Sequence, residues 1–152
     1  MKRLQWYVMG SVLTAGLLGL AHEAFGGAPA AEVSSNTQCT PRMLKGTYVY
    51  ANDGYIVTGS ERVPFAQAGG EHFPGDGTLT GSATVSTNGE ITRITYTGTY
   101  TVEPDCSGTA TLTDNLGGTA HFDIFVTKNG ESTSFIQTDP GYVTAGFEIR
   151  RQ

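Results

Sequence analysis

The sequence predicts an all-β protein: a single eight-stranded, antiparallel up-and-down β-barrel that follows a cleaved signal peptide. Thr and Gly account for 22 and 21 of the 152 residues, and only 15% of the residues are charged. β-Branched residues and Gly both lower helix stability. Apolar and small polar residues also alternate with a period of two over most of the chain beyond residue 46, which is typical of strands with one buried face. Together these observations exclude a helical bundle.

The first thirty residues have the pattern of a secretory signal peptide. Lys2 and Arg3 give a positive start, residues 7–21 are apolar or small, and Ala28 and Ala30 stand at the two positions that signal peptidase reads. The apolar run is shorter than the roughly 20 residues that cross a bilayer. We therefore expect cleavage after residue 30 and a secreted or periplasmic protein that leaves no segment in the membrane.

Charge and cysteine content narrow the class of protein further. The formal net charge of −5 argues against nucleic-acid binding, which needs a basic face to meet the phosphates. Cys39 and Cys106 are the two cysteines, and an even pair in an exported chain predicts a disulfide. That bond would join an N-terminal arm, residues 31–45, to a turn in the barrel domain, residues 46–152.

Turn residues divide the mature chain into eight predicted strands. The clearest alternation covers residues 91–102, where Tyr96 and Tyr100 belong to one face and Thr residues form the other. Asn88-Gly89 is a strong hairpin signal because both residues tolerate positive φ. Asn52-Asp53-Gly54 is likewise interpreted as the turn that ends the first strand. The predicted strands lie near residues 47–52, 62–73, 78–87, 90–102, 107–114, 119–128, 131–138 and 142–150.

Every predicted connection is short, so consecutive strands should pair as antiparallel hairpins. Eight strands in such a meander fit an up-and-down barrel, because closure leaves no exposed strand edge. A two-sheet sandwich is the alternative arrangement of the same strands.

A few ionisable residues lie inside strands rather than in turns, and they are the candidate site residues. They are Glu71, His121, Asp123 and Glu148. In one interpretation they belong to a polar outer face, because His121 and Asp123 alternate in phase with Thr residues. In the other, His121 and Glu148 meet in the barrel lumen as an acid–base pair. The second interpretation would suit a barrel whose Thr face lines the cavity and whose Tyr face packs between subunits.

Motifs for other kinds of site are missing from the sequence. It contains no paired His or Cys spacing for zinc, no phosphate-binding loop before a helix, and no G-x-S-x-G around a serine. We therefore expect neither a metal ion nor a cofactor.

Five segments together resemble a known family in their order and spacing. They are Leu-Lys-Gly-Thr-Tyr at 44–48, Gly-Thr-Tyr-Thr-Val at 98–102, Asp-Cys-Ser-Gly-Thr-Ala-Thr-Leu at 105–112, Gly-Thr-Ala-His-Phe-Asp at 118–123 and Phe-Ile-Gln-Thr-Asp-Pro-Gly at 135–141. From Cys39 to Gln152 the chain is similar to small exported bacterial proteins with an allene oxide cyclase-like barrel, among which the pyocyanin demethylases are characterised.

The resemblance implies a function and a set of site residues. Pyocyanin demethylases are trimeric barrels that need no added cofactor. They remove the N-methyl group of the phenazine as formaldehyde, leaving 1-hydroxyphenazine, while oxidised pyocyanin takes the electrons. A His, a Glu and an Asp hold and protonate the phenazine, which implies roles here for His121, for Glu148 and for either Glu71 or Asp76. The chain departs from the family at Arg150, where a Tyr is expected.

Three hypotheses for function follow from the sequence. The first is a secreted, cofactor-independent enzyme that acts on a small planar heteroaromatic substrate and uses His121, Glu148 and Glu71. The second is a non-catalytic exported barrel that binds a small apolar or aromatic ligand. The third is a structural or interaction protein whose lumen is filled by its seven Tyr and seven Phe side chains.

Overall fold

The computed structural model describes residues 38–152, which form a closed antiparallel barrel of eight strands in meander order. Each strand pairs with the next, and the last strand pairs with the first. The predicted barrel is confirmed and the sandwich is excluded. The predicted signal peptide and the start of the arm lie outside the described residues. A 3₁₀ turn at Pro41–Leu44 precedes β1 Gly46–Thr58, β2 Glu61–Phe73, β3 Thr78–Thr87, β4 Glu90–Tyr100, β5 Ser107–Asp114, β6 Thr119–Val126, β7 Ser132–Gln137 and β8 Tyr142–Arg150.

The predicted end of the first strand near residue 52 was wrong. β1 continues through Asn52-Asp53-Gly54 to Thr58. Asn52 is buried, and its Nδ2 donates to Thr144 Oγ1 on β8 at 2.9 Å. A Cβ atom at Gly54 would lie 2.9 Å from the Cα of Thr144. Asn52 therefore makes a buried hydrogen bond, and Gly54 allows β1 and β8 to approach closely. The chain reverses direction only after Thr58.

Aromatic side chains fill much of the barrel interior, and most of the Thr residues on the strands face outwards, although Thr133 and Thr144 are buried. On β4, Tyr96 and Tyr100 are buried whereas Thr95, Thr97 and Thr99 are exposed. This parity rules out the arrangement in which the Thr face lines the cavity. Each of three inward rings has a glycine as its cross-strand partner, because a side chain there would overlap the ring. The pairs are Tyr50 with Gly69, Tyr96 with Gly81 and Phe135 with Gly146.

One end of the barrel is closed by the segment that precedes β1. Leu44 of the 3₁₀ turn is fully buried, and the predicted disulfide between Cys39 and Cys106 is present. The Arg150 guanidinium donates to the Tyr48 hydroxyl and to the Gly130 carbonyl, each at 2.9 Å. The other end carries the hairpin turns that follow β1, β3, β5 and β7. Within residues 38–152, no helix has the length and apolar character needed to cross a membrane.

Candidate functional site

The lumen contains two adjoining compartments. The inner one holds about 470 Å³ of space and the outer one about 1050 Å³, with the openings to solvent included. Tyr50, Gln67, Leu112 and Phe122 line both, so the compartments meet at these side chains. The outer compartment reaches the hairpin end of the barrel, where residues such as Ile56, Thr87, Leu116 and Tyr142 line it. The inner compartment is also lined by Glu71, Phe73, Leu79, Tyr100, Ala110, Ile124, Phe135 and Glu148.

Two carboxyl groups meet in the inner compartment. Glu71 lies on β2 and Glu148 on β8, the two strands that flank β1. Their cross-strand partners on β1 are Tyr48 and Tyr50, which face inwards. Each carboxyl group contributes to the shifted pKa of the other, so the two lie close together in the lumen. A hydrogen bond between them requires that one of the pair carry a proton, because a carboxylate can only accept.

Two tyrosine hydroxyls extend this pair into a buried cluster. Tyr96 on β4 donates to Oε1 of Glu71 at 2.8 Å, and its oxygen lies 3.0 Å from the hydroxyl of Tyr50. Neither tyrosine was among the residues predicted for the site, because aromatic residues at alternate strand positions are typical of a core. The signal that could have revealed Tyr96 is its cross-strand partner Gly81, which leaves room for an inward ring that ends in a polar atom.

Burial and mutual repulsion set the proton affinity of the cluster. Burial raises the pKa of Glu71, although the hydrogen bond from Tyr96 lowers it in part. Burial, together with the charge of Glu71, raises the pKa of Glu148 to about 9. Burial also raises the pKa of Tyr50 to about 12. At neutral pH the cluster therefore retains at least one carboxyl proton inside a largely apolar lumen, where it can be donated or transferred.

His121 lies on the outside of the barrel, so the expected pairing with Glu148 is not formed. The inward positions of β6 belong to Phe122, Ile124 and Val126, and the His121 side chain is 54% exposed. Its Nδ1 lies 2.7 Å from Oδ1 of Asp139, and its backbone N–H donates to Oδ2 at 2.8 Å. The interpretation that placed His121 and Asp123 with the outer Thr residues was right.

The two acids that could match the Asp of the family occupy different places. Glu71 faces the lumen, whereas Asp76 is exposed in the turn between β2 and β3. Oδ1 of Asp76 accepts hydrogen bonds from the backbone N–H and the hydroxyl of Thr78, at 3.0 and 2.7 Å. These bonds hold the pKa of Asp76 below its usual range. Asp76 therefore stabilises a turn, and the lumen brings together two of the three expected site residues, Glu71 and Glu148.

Metal ligands are not grouped in this part of the chain. Across residues 38–152, no three His, Cys, Asp or Glu side chains lie close enough together to hold a metal ion.

Comparison with known proteins finds a structure with a similar fold but no protein that indicates a function. No protein-family model and no curated protein matches the chain. The fold is similar to that of a solved structure, a de novo designed fluorescence-activating β-barrel, with a TM-score of 0.50. The two sequences are 9% identical, and the match covers 73% of this chain and 96% of the designed one. This likeness concerns the barrel fold alone.

Proposed function

We propose that this protein binds a small planar aromatic ligand in the barrel lumen, with a ring nitrogen or oxygen of the ligand placed against the Glu71–Glu148 pair. The observation that carries the proposal is the convergence of two carboxyl groups and two tyrosine hydroxyls in a largely apolar lumen, near the junction of the two compartments. Ligand sites commonly combine apolar walls with a few convergent polar groups of perturbed pKa.

The walls of the inner compartment suit a flat ring system. Phe122 and Phe135 meet edge to face with ring centroids 5.8 Å apart, and Phe135 meets Tyr50 in the same way at 6.1 Å. Leu112 and Ile124 add aliphatic surface. Such walls offer both faces and edges of rings to a planar ligand. A protonated carboxyl in the inner compartment would then donate to a lone pair on the ring.

The position of Gln67 indicates how long the ligand could be. Gln67 and Glu71 both face inwards on β2 and are four residues apart, which places their Cα atoms roughly 13 Å from each other along an extended strand. The Gln67 amide lines the junction of the two compartments and offers both a donor and an acceptor. Gln67 therefore marks how far a ligand held at the carboxyl pair can extend in the lumen, a span that suits about three fused rings.

The enzyme form of the proposal adds proton transfer to binding. A carboxyl pair that retains a proton at neutral pH could protonate a ring nitrogen of a phenazine, as the family resemblance implies. The reaction would be oxidative N-demethylation of pyocyanin to 1-hydroxyphenazine and formaldehyde. Water would supply the oxygen of formaldehyde, and a second oxidised pyocyanin would take the two electrons. Glu148 and Glu71 would carry the proton, and His121 would have no part in it.

Calorimetric titration of the purified protein with phenazine and with the two-ring quinoline tests binding. We expect phenazine to bind and quinoline to bind at least about tenfold more weakly, because quinoline has one ring fewer to pack against the aromatic walls. Glu148→Leu removes the donor and should weaken phenazine binding about three- to tenfold, since a hydrogen bond between uncharged groups contributes about 0.5–1.5 kcal/mol. Glu103→Leu is the matched control, because Glu103 is exposed. Equal binding by the wild type and Glu148→Leu would refute the proposed contact.

A separate assay tests the enzyme form. The wild type and Glu148→Gln are incubated with oxidised pyocyanin, and formaldehyde and 1-hydroxyphenazine are followed. Glu148→Gln can still donate a hydrogen bond but cannot transfer a proton, so it should bind and form no product. If the wild type forms no product, demethylation is excluded, and if Glu148→Gln forms as much product as the wild type, Glu148 does not carry the proton. Ligand binding stands on its own test in either case.

A further inference from the structure

Asn52 brings a hydrogen-bond acceptor without a partner into the wall of the barrel. This residue faces inwards on β1 and is only 5% exposed, and its Nδ2 donates to Thr144 Oγ1 at 2.9 Å. Among residues 38–152, no group forms a hydrogen bond with the Oδ1 atom of Asn52. Buried polar atoms in folded proteins are nearly always hydrogen-bonded. The Asn52 carbonyl therefore requires an N–H or O–H donor.

The contacts of Thr144 determine the orientation of the Asn52 amide. The Thr144 hydroxyl donates its one hydrogen to the backbone carbonyl of Asp53 at 2.9 Å. Its oxygen can then only accept from Asn52, which requires that the NH₂ group of the amide lie on that side. A flipped amide would set its carbonyl oxygen against an oxygen that has no hydrogen left to donate. The unpaired end of the Asn52 amide is therefore the acceptor.

Gln67 is the neighbouring side chain that can satisfy this acceptor. Asn52 and Gln67 are direct cross-strand partners on β1 and β2, and the Cβ atoms of such partners lie about 4.5–5.5 Å apart on the same face of the sheet. Gln67 lines both compartments of the lumen, whereas Asn52 lines neither. Rotation of the Gln67 amide can bring its Nε2 to the Oδ1 atom of Asn52. Because an amide carries its donors on nitrogen and its acceptor on oxygen, this contact leaves Gln67 Oε1 for the lumen.

We propose that Gln67, held by Asn52, presents a carbonyl acceptor to the lumen and thereby selects aromatic ligands that carry an N–H or O–H donor. This inference rests on the lumen binding proposed above and adds a second polar contact to it. The carboxyl pair offers a proton to the ligand, and Gln67 offers an acceptor at the junction of the compartments. A ligand that matches both has an acceptor in its ring system and an amino, amide or hydroxyl substituent. The opposite polarity of the two contacts also sets which end of the ligand points outwards.

A second glutamine in the lumen provides a matched comparison. Gln137 on β7 lines the outer compartment, and its Nε2 donates to Oδ2 of Asp139 at 2.9 Å. Gln137 therefore has the same amide in the same lumen but is bound to a different partner. The same substitution at Gln67 and at Gln137 separates the proposed contact from a general effect of removing an amide.

Calorimetric titration with 2-aminophenazine and 2-methylphenazine tests the inference, because the two compounds differ only by an NH₂ group in place of CH₃. We expect the wild type to bind the amino compound about three- to tenfold more tightly, the range for one hydrogen bond between uncharged groups. Gln67→Met keeps the length of the side chain without its amide, so it should bind the two compounds equally. Gln137→Met should retain the preference of the wild type.

The possible failures of this test are distinguishable from one another. Equal affinity of the wild type for the two compounds would overturn the inference and leave lumen binding in place. No binding of either compound would refute both the inference and the proposed function. A preference that is kept in Gln67→Met and lost in Gln137→Met would assign the acceptor to Gln137 and would also overturn the inference.

Thr144→Val tests the part of Asn52 without a change in any residue that contacts the ligand. Valine has a shape similar to that of threonine but lacks the oxygen that fixes the Asn52 amide. The amide can then flip, and Gln67 can turn either end towards the lumen. The preference for 2-aminophenazine should therefore fall at least about twofold, while the affinity for 2-methylphenazine stays within about twofold of the wild type. A folded Thr144→Val protein with an unchanged preference would show that Asn52 does not orient Gln67.

Discussion

The clearest quantitative consequence of the structure is that Glu148 should make the fold less stable as the pH rises. The pKa of this carboxyl is raised from 4.5 to about 9 by burial and by the charge of Glu71. The folded state therefore keeps a proton that the unfolded chain releases above pH 4.5. By linkage, the free energy of unfolding is highest below pH 4.5 and falls as the pH rises towards 9. Glu148→Gln removes the ionisation and keeps the shape of the side chain.

The size of the effect follows from the interval between the two pKa values. Each pH unit within it corresponds to about 1.4 kcal/mol, so the wild type loses about 3 kcal/mol between pH 4.5 and pH 7. Glu148→Gln should therefore be more stable than the wild type by about 3 kcal/mol at pH 7, or on the order of 10 °C in Tm. The difference should vanish near pH 4.5 and keep growing up to about pH 9. Glu71 and Glu148 titrate as a pair, so the difference between the two proteins reports the proton that the pair retains.

Urea unfolding at pH 4.5, 6, 7 and 8, followed by circular dichroism, measures the difference. Glu103→Gln provides the matched control, since it makes the same chemical change at an exposed residue, and its stability curve should coincide with that of the wild type. If the free energies of unfolding of Glu148→Gln and the wild type instead change in parallel from pH 4.5 to 8, the Glu148 carboxyl does not retain a proton in the folded state. The proposed donor of the lumen site would then be refuted as well.

Three further predictions concern the closed end, the outer surface and the packing of the lumen. Replacement of both Cys39 and Cys106 by Ser opens a loop with a sequence separation of 67 residues and should lower the free energy of unfolding by about 4 kcal/mol, as denaturant unfolding would measure. His121→Ala should leave phenazine binding unchanged and lower stability by less than about 1 kcal/mol, because its contact with Asp139 lies at the surface; a large loss of binding would contradict its outside position. Gly81→Ala would push a methyl group into the Tyr96 ring, so it should destabilise the fold by about 1–3 kcal/mol and weaken binding in calorimetry.

Local sequence patterns were sufficient for most of the barrel, because most strands end where residues suited to positive φ occur. Asn88 and Gly89 have φ of 50° and 90°, and the hairpin between β3 and β4 turns there as predicted. Asn52-Asp53-Gly54 has a similar composition but no local reason to turn. Its role depends on Thr144, a partner about ninety residues away on β8. A contact across the closing seam of the barrel cannot be read from the residues beside it.

The residues of the candidate site could be predicted in part from the sequence, but their arrangement in space could not. Glu71 and Glu148 stood out because few charges lie inside strands, and both do face the lumen. Their proximity depends on closure of the barrel, which places β2 and β8 on either side of β1. His121 was grouped with them on chemical grounds, although its alternation with outward Thr residues already indicated the outer face. Parity along a strand was thus a better guide to position than the type of side chain.

The carboxyl pair is also hard to explain as a stabilising feature of the core. Replacement of a buried charged or polar pair by well-packed apolar residues often leaves stability unchanged or raises it. Glu148 alone is expected to lower the free energy of unfolding by about 3 kcal/mol at pH 7. Domains are stable by only roughly 5–15 kcal/mol in total. The surrounding sequence nevertheless accommodates the cluster in detail, since Gly81 leaves room for Tyr96 and Gly69 leaves room for Tyr50. The disulfide at the closed end contributes a stabilisation of about the same size as the cost. A fold that departs from the most stable core at one position, and compensates elsewhere, is expected where that position serves a function.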